Sequence, residues 1–349
     1  MTTAIYRILD ASFNRIGEGF RTLEDYARFA LNDALLAESA KGLRHDLATA
    51  ASQLPRRELL AARDTPGDVG TDLQTSGEQT RAAPASVAVA AATRCQQALR
   101  SAEEYAKCIS PNVAVQLEKI RYQTYTLAAA IETLPDRCNR LADRNLYALI
   151  NGADGKDSFL KNLRSLAEGG VDIFQLRDKQ LSDRELFEYG SAAMTALRQM
   201  PGQRPLLIIN DRADIAIACQ ADGVHVGQDE LPLASVRKMM PPASLIGVST
   251  HSYAQAETAV LGGADYIGCG PTFPSQTKTF DEFPGLDFLK QIAASISLPA
   301  FAIGGINQEN LNQVLQTGIR RIAVTAALQS AAAPQQAAAA LKQSLSKAQ

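Results

Sequence analysis

Along the first 134 residues, apolar positions recur every three or four residues among Ala, Leu, Glu and Arg, and strand-like runs are nearly absent. That period predicts amphipathic helices throughout this part. From about residue 145 the pattern changes. Short apolar runs appear at YALIN (147–151), IFQLR (173–177), LLIIN (206–210), GVHVG (223–227), LIGVS (245–249), YIGCG (266–270), AFAIGG (300–305) and RIAVTA (321–326). Between them lie amphipathic stretches such as SFLKNLRSLAEGG and ENLNQVLQTG, several closed by a glycine suited to a helix C-terminus. The runs lack the alternation of a half-exposed strand, as expected of parallel strands covered on both faces. Eight such units predict a (β/α)8 TIM barrel; an open doubly wound sheet is the alternative, though six strands usually suffice there. The polar stretch LPDRCNRLADRN (134–145) breaks the helical pattern. The expected organisation is an all-helical domain over 1–134, a linker over 135–145 and the barrel over 146–349.

The helical part carries an internal repeat. FNRIGEGFRTLEDYAR, from Phe13, returns as ATRCQQALRSAEEYAK, from Ala92, so that Arg15, Arg21, Glu24, Asp25, Tyr26 and Arg28 match Arg94, Arg100, Glu103, Glu104, Tyr105 and Lys107, each 79 positions later. A second match sets GLRHDL around Arg44 against KIRYQT around Arg121, 77 positions apart. Two helical hairpins related by duplication follow from this. Between them, ARDTPGDVGTDLQTSGEQT (62–80) predicts a long loop, of the length that is usually functional or disordered.

Composition narrows the class. With 349 residues, 46% hydrophobic and 21% charged at a net charge of −2, the chain suits two soluble globular domains. A balance so near neutral gives no general attraction for nucleic acid or anionic membrane, so anionic ligands must be held by local clusters. The five cysteines (Cys95, Cys108, Cys138, Cys219, Cys269) have no metal-ligand spacing and read as reduced core thiols of a cytoplasmic protein. No signal pattern opens the chain, and no apolar run is long enough to span a membrane.

In a (β/α)8 barrel the chemistry projects from the C-terminal ends of the strands. Strand two ends in Gln175, Arg177 and Lys179; strand three in Asn210, Asp211 and Arg212; strand four runs through His225 to Asp229 and Glu230. Strand five ends in Ser249, Thr250 and His251, strand six opens a loop with Ser275, Thr277 and Lys278, strand seven ends in Gly304 and Gly305, and strand eight in Thr325. Arg177, Lys179 and Lys278 are suited to phosphate through charge-assisted hydrogen bonds. The bare amides of Gly304 and Gly305 and the turn at Thr325 lie where barrels commonly hold a phosphate. Asp211, with Asp229 or Glu230, forms a hard-cation set of the magnesium kind. Together these imply a diphosphate with Mg²⁺ and a second, monophosphate, ligand. Each element has a plainer reading: Asp211 as a helix cap, the glycine pair as a tight turn, His225 as a core histidine. Six strand ends carrying complementary chemistry outweigh those readings taken singly.

The stretches QLRDK (175–179), NDRADIA (210–216), ADGVHVGQDE (221–230), IGVSTHS (246–252), GADYIGCGPTFPSQTK (263–278) and FAIGGI (301–306) closely resemble the thiamine-phosphate synthase family, in the family's order and over the whole barrel. The resemblance implies the joining of hydroxymethylpyrimidine diphosphate to thiazole phosphate, giving thiamine phosphate and pyrophosphate. It places Gln175 on the aminopyrimidine, and Arg177, Lys179, Asn210, Ser249 and Lys278 on the diphosphate. Asp211 and Glu230 would ligate Mg²⁺, with Asp229 as the alternative acid, because the order of the two acids departs from the family's. Ser275, Thr277, Gly305 and Thr325 would hold the thiazole phosphate, and no further catalytic residue is implied. The related thiazole tautomerases, with a histidine at a position resembling His251, are the competing family. A non-enzymatic binding protein is the other alternative, and the complete cation and acid set argues against both. The text RILDASFNRIGEGFRTLEDYARF resembles a helical domain fused to this synthase and proposed to phosphorylate hydroxymethylpyrimidine phosphate. No Walker-type loop is present, and a structural or dimerising module is the other reading. The expected partners are small-molecule substrates, with homo-oligomer formation left open.

Overall fold

A computed structural model describes residues 2–69, 80–274 and 284–347. The chain divides into two compact units, Met1–Pro135 and Asp136–Gln349.

The first unit is helical: α1 (Thr2–Phe29), α2 (Ala34–Ser52), α3 (Arg56–Ala61), α4 (Pro84–Ala106) and α5 (Pro111–Arg140). Helix α1 packs on α2 and α4 through a buried face that includes Leu9, Ile16, Phe20 and Leu23. The repeat is visible at atomic scale. Ile16 and its counterpart 79 positions on, Cys95, meet where α1 and α4 touch, the thiol donating to the Ile16 carbonyl at 3.5 Å. Gly19 allows this approach, since a Cβ there would lie 2.2 Å from the Cys95 sulfur. Each hairpin also buries one glutamate among three cations. Glu24 faces Arg21, Arg28 and Arg44 at 3.5, 3.9 and 3.3 Å. Glu103 faces Arg100, Lys107 and Arg121 at 2.7, 3.4 and 2.8 Å. These are matched residues of the repeat, so the duplicated charge pattern is an internal ion-pair network in each hairpin. A carboxylate leaves water at several kcal/mol unless such partners replace it. The start of the long loop is tied to α1, with Arg63 forked onto Asp10 at 2.7 and 2.8 Å and Arg7 donating to the Asp64 carbonyl at 2.8 Å; its residues 70–79 lie outside those described.

The stretch from 135, expected as a linker, is helical as far as Arg140. Pro135 lacks an amide hydrogen and deprives the turn of one hydrogen bond, but Leu134 is buried in the first unit and Leu141 in the core of the second.

In the second unit, β1 (Leu146–Ile150), β2 (Ile173–Leu176), β3 (Leu206–Asn210), β4 (Gly223–Val226), β5 (Leu245–Thr250), β6 (Tyr266–Cys269), β7 (Ala300–Ile303) and β8 (Ile322–Val324) pair in parallel and close into a barrel. The alternative of an open sheet is thereby excluded. Helices α6 (Lys156–Glu168), α7 (Asp183–Arg198), α8 (Ala213–Ala218), α9 (Leu233–Met239), α10 (Tyr253–Gly262), α11 (Gly285–Ser295), α12 (Leu311–Gln316), α13 (Ala326–Gln329) and α14 (Pro334–Lys347) follow the strands. Inside, Tyr147, Ile173, Ile208, Leu245, Tyr266, Phe301 and Ala323 form a packed core rather than a pore, closed below by Leu141.

Beneath that core, one aspartate before each of β2, β4 and β6 caps the backbone of the preceding strand. Asp172 accepts from the Leu146 amide at 2.9 Å, Asp222 from Leu207 at 2.8 Å and Asp265 from Ile246 at 2.8 Å. Each has its own cation: Lys342, Arg204, and Arg237 with Arg140. Polar groups at the N-terminal ends of the strands thus secure the barrel and leave the opposite rim for chemistry. Among the described residues no helix is long and apolar enough to cross a membrane. Burial pushes the Cys95 and Cys269 thiols up to about 12.

Candidate active site at the strand C-termini

The register sets which side chains meet. Gln175 lies beside Leu149 and Ile208, Asn210 beside His225, His225 beside Gly247, and Ser249 beside Gly268. Strand alternation turns these residues inward on neighbouring strands, above the apolar layer.

Among the described residues neither Arg177 nor Lys179 has an ion-pair partner, whereas neighbouring Arg212 is held by Asp183 and by Asp214. Arg177 is half-buried, with its amide anchored to the Ile150 carbonyl at 2.9 Å, and its charge reaches both Asp211 and His225. Half-buried positive charge with no protein counterion is suited to an anionic ligand.

Asp211 is not a helix cap. Residue 212 holds the N-cap position of α8 without a side-chain bond, and Asp211 has φ 62°, a left-handed conformation uncommon outside glycine. Its amide donates to the His225 carbonyl at 2.8 Å, and its carboxylate accepts from the Asn210 amide nitrogen at 2.6 Å. Burial, then the Glu230 carboxylate, raise the Asp211 pKa against the opposing pull of Lys179 and Arg177. The half-buried Glu230 folds back so closely that a Cβ at Gly227 would lie 2.3 Å from its Oε2. Asp229 is exposed and does not figure among the charges acting on Asp211. A half-buried carboxyl whose ionisation a second carboxylate disfavours, beside Arg177 and Lys179, suits a hard cation shared with phosphate oxygens. Among the described residues no group of three or more His, Cys, Asp or Glu could hold a metal by protein ligands alone. Mg²⁺ fits that pattern, since it is usually bound by one or two carboxylates together with substrate phosphates and waters.

The floor of the site is a chain of polar groups in which Gln175, His225 and Ser249 are joined by two tyrosines that the sequence reading did not single out. Gln175 donates to the Tyr147 hydroxyl at 2.8 Å, which meets the Tyr266 hydroxyl at 2.9 Å. Tyr266 meets His225 Nδ1 at 3.2 Å, and His225 Nε2 meets the Ser249 hydroxyl at 2.9 Å. Burial, reinforced by Arg177, pushes the His225 pKa down to about 4, so the ring is neutral at pH 7. The two tyrosines had a signal in the sequence. A hydroxyl in a strand buried on both faces needs a partner, and both tyrosines stand in such runs.

Gly304 (φ 102°) and Gly305 (φ 65°) adopt conformations that side chains rarely take, and a Cβ on Gly304 would lie 2.8 Å from the Pro271 Cα. Exposed Gly305 is positioned by Asn310, which donates to its carbonyl at 2.8 Å. Thr325 is exposed at the start of α13, its hydroxyl making no cap. His251 is bound through Nδ1 to the Gly270 carbonyl at 2.6 Å. Ser275, Thr277 and Lys278 lie outside the described residues.

A family model described as thiamine monophosphate synthase matches residues 146–328, and a model of the ThiD2 family matches residues 7–130. The thiamine-phosphate synthase of Rhodopirellula baltica is 50% identical over 335 residues, covering 93% of this chain and 88% of that protein. That of Nostoc punctiforme is 38% identical, covering 95% of this chain and 91% of its own. The solved thiamine phosphate pyrophosphorylase of Pyrococcus furiosus superposes with a TM-score of 0.53 at 32% identity, covering 58% of this chain and 96% of its own. With a closed eight-stranded barrel, Arg177 and Lys179 at its rim and relatives matched over nearly their full length, the chain is an enzyme and belongs to the thiamine-phosphate synthase family.

Proposed function

We propose that the barrel joins 4-amino-2-methyl-5-(diphosphooxymethyl)pyrimidine to a thiazole phosphate. The observation that carries the proposal is the pairing of Arg177 and Lys179, which have no ion-pair partner among the described residues, with the Asp211–Glu230 carboxylates across one rim. Gln175 holds the aminopyrimidine. Arg177, Lys179, Asn210, Ser249 and Lys278 hold the diphosphate, and Ser275, Thr277, Gly305 and the Thr325 turn hold the thiazole phosphate. Asp211 and Glu230 would hold Mg²⁺, which when bound neutralises charge on the departing diphosphate. The bond between the pyrimidine methylene and the diphosphate oxygen breaks, the electron pair leaving with diphosphate. The thiazole nitrogen lone pair then forms the new C–N bond, leaving a thiazolium. No proton is transferred in this sequence, which agrees with a site whose buried histidine is neutral and already hydrogen-bonded at both nitrogens. What the residues supply is charge neutralisation and shielding from water. Removing one phosphate-binding cation is expected to cost about 2–5 kcal/mol, or roughly 30- to several-thousand-fold in rate.

The test mixes the protein with the pyrimidine diphosphate, thiazole phosphate and Mg²⁺ and follows thiamine phosphate by fluorescence after oxidation. Product that requires Mg²⁺ and falls at least 30-fold in Arg177→Ala supports the reading; no product from the wild-type protein overturns it. For the helical half, two readings stand: phosphorylation of the pyrimidine monophosphate and a structural module. The second is favoured because Glu24 and Glu103 engage the repeated cations within each hairpin. The same assay started from pyrimidine monophosphate and ATP decides between them.

A further inference from the structure

We propose that Gln175, Tyr147, Tyr266, His225 and Ser249 form one polarised hydrogen-bond relay, which ties recognition of the pyrimidine's amino group at one end to hydrogen-bond donation toward the diphosphate at the other. The proposal rests on the assignment of Gln175 to the pyrimidine and Ser249 to the diphosphate.

The relay is continuous, with successive contacts of 2.8, 2.9, 3.2 and 2.9 Å. Four of its members are almost wholly buried: Gln175, Tyr147, Tyr266 and His225 are 4, 2, 1 and 8% exposed. Water therefore does not complete the hydrogen bonds between them, and each gap must hold one proton. The space is made by a glycine. A Cβ at Gly247 would lie 2.4 Å from the Tyr266 oxygen and 2.5 Å from His225 Nδ1.

Counting protons leaves two arrangements. In the first, the Gln175 amide donates to Tyr147, Tyr147 to Tyr266, and Tyr266 to His225 Nδ1. The imidazole proton then sits on Nε2 and is given to Ser249, whose own hydrogen is left to point at a ligand. In the second, the Gln175 carboxamide is turned so that its oxygen accepts from Tyr147. Every later bond then reverses, and Ser249 donates inward to Nε2. Reversing any one member alone puts two protons in one gap and none in another, so the two ends change together.

The ligands of the proposed reaction select the same arrangement at both ends. An amino group requires the Gln175 oxygen, and a diphosphate requires a donor from Ser249. A 4-oxo pyrimidine instead requires the Gln175 amide nitrogen, which turns the relay and presents a serine lone pair to the diphosphate. Discrimination between amino and oxo rings is thus set partly at Ser249, on a different strand from Gln175. Tyr147 and Tyr266 act as positioning residues without themselves meeting the ligand.

The experiment measures competitive inhibition of the full-length enzyme by 4-amino-2-methyl-5-hydroxymethylpyrimidine phosphate and by its 4-oxo counterpart. Wild type, Ser249→Ala, Tyr147→Phe, Tyr266→Phe and Gln175→Ala are compared. The readout is the ratio of the two inhibition constants, which overall weakening of the fold does not move. The relay predicts that Ser249→Ala and each tyrosine variant lower the preference for the amino ring by roughly 10- to 150-fold, the range one hydrogen bond to a charged group is worth. Ser249→Ala is the variant least exposed to folding failure, because Ser249 is only half-buried. A ratio unchanged within about twofold in Ser249→Ala, with the preference abolished in Gln175→Ala, overturns the relay and leaves the pyrimidine assignment standing. An unchanged ratio in Gln175→Ala overturns the pyrimidine assignment itself.

Discussion

Replacing Gly247 by alanine adds one methyl group at the centre of the barrel, and the structure sets what it meets. The new Cβ would lie 2.1 Å from the Tyr266 ring, 2.4 Å from its hydroxyl and 2.5 Å from His225 Nδ1. None of these atoms has room to retreat, because Tyr266 is packed edge-on against Tyr147 and Phe301 and His225 is held on its other side by Ser249. Overpacking of a dense core costs about 1–3 kcal/mol, and parting His225 from Tyr266 leaves buried polar atoms unmatched at about 1–3 kcal/mol. The expected loss is therefore about 2–6 kcal/mol. The neighbouring glycine on β6 provides the control. A Cβ at Gly268 would lie 3.4 Å from His225 Cε1, an ordinary contact, so Gly268→Ala is expected to be neutral or stabilising by under about 1 kcal/mol through a less flexible unfolded chain. Calorimetric melting of the two full-length variants makes the comparison. At about 2–4 °C per kcal/mol for a domain of this size, the barrel transition should fall by roughly 4–24 °C in the first variant and hold in the second. Equal shifts in both would refute the view that the space above Gly247 is reserved for the tyrosine–histidine contact.

Three further outcomes follow from the same geometry. The unfolded histidine titrates near 6.5, whereas His225 is pushed down to about 4 when folded. The unfolded chain therefore binds more protons in that window, and stability falls by about 3 kcal/mol from pH 6.5 to 4; urea unfolding should show that share of the slope disappearing in His225→Asn. Glu230→Gln should raise the Mg²⁺ concentration for half-maximal synthesis by roughly tenfold or more, while Asp229→Asn leaves it unchanged; the reverse order would make Asp229 the ligand. In the helical unit, Glu103→Gln should cost about 3–5 kcal/mol, and Glu24→Gln less. The difference arises because Arg121 is 8% exposed beside Glu103, whereas Arg44 is 33% exposed beside Glu24; urea unfolding of each variant tests the ranking.

Much of this molecule could be read from the chain alone because its signals are local. Parallel strands covered on both faces leave continuous apolar runs, and each of the eight runs contains its observed strand to within a residue. The duplication in the helical half needed only a comparison of the text with itself, and the placement of Arg177, Lys179, Asp211 and Ser249 at strand ends follows from where each run stops. Other features depend on residues far apart in sequence. That Glu24 and Glu103 are buried among cations is decided by how the hairpins close. That Glu230 rather than Asp229 bears on Asp211 depends on the fold of one loop against another strand. The helix over 135–140 persists despite its proline because Leu134 and Leu141 have core positions to fill. The relay beneath the site joins residues from 147 to 266. Only closure of the barrel brings those five strands to one axis, and only there does burial compel each hydroxyl and ring nitrogen to find its partner among the others.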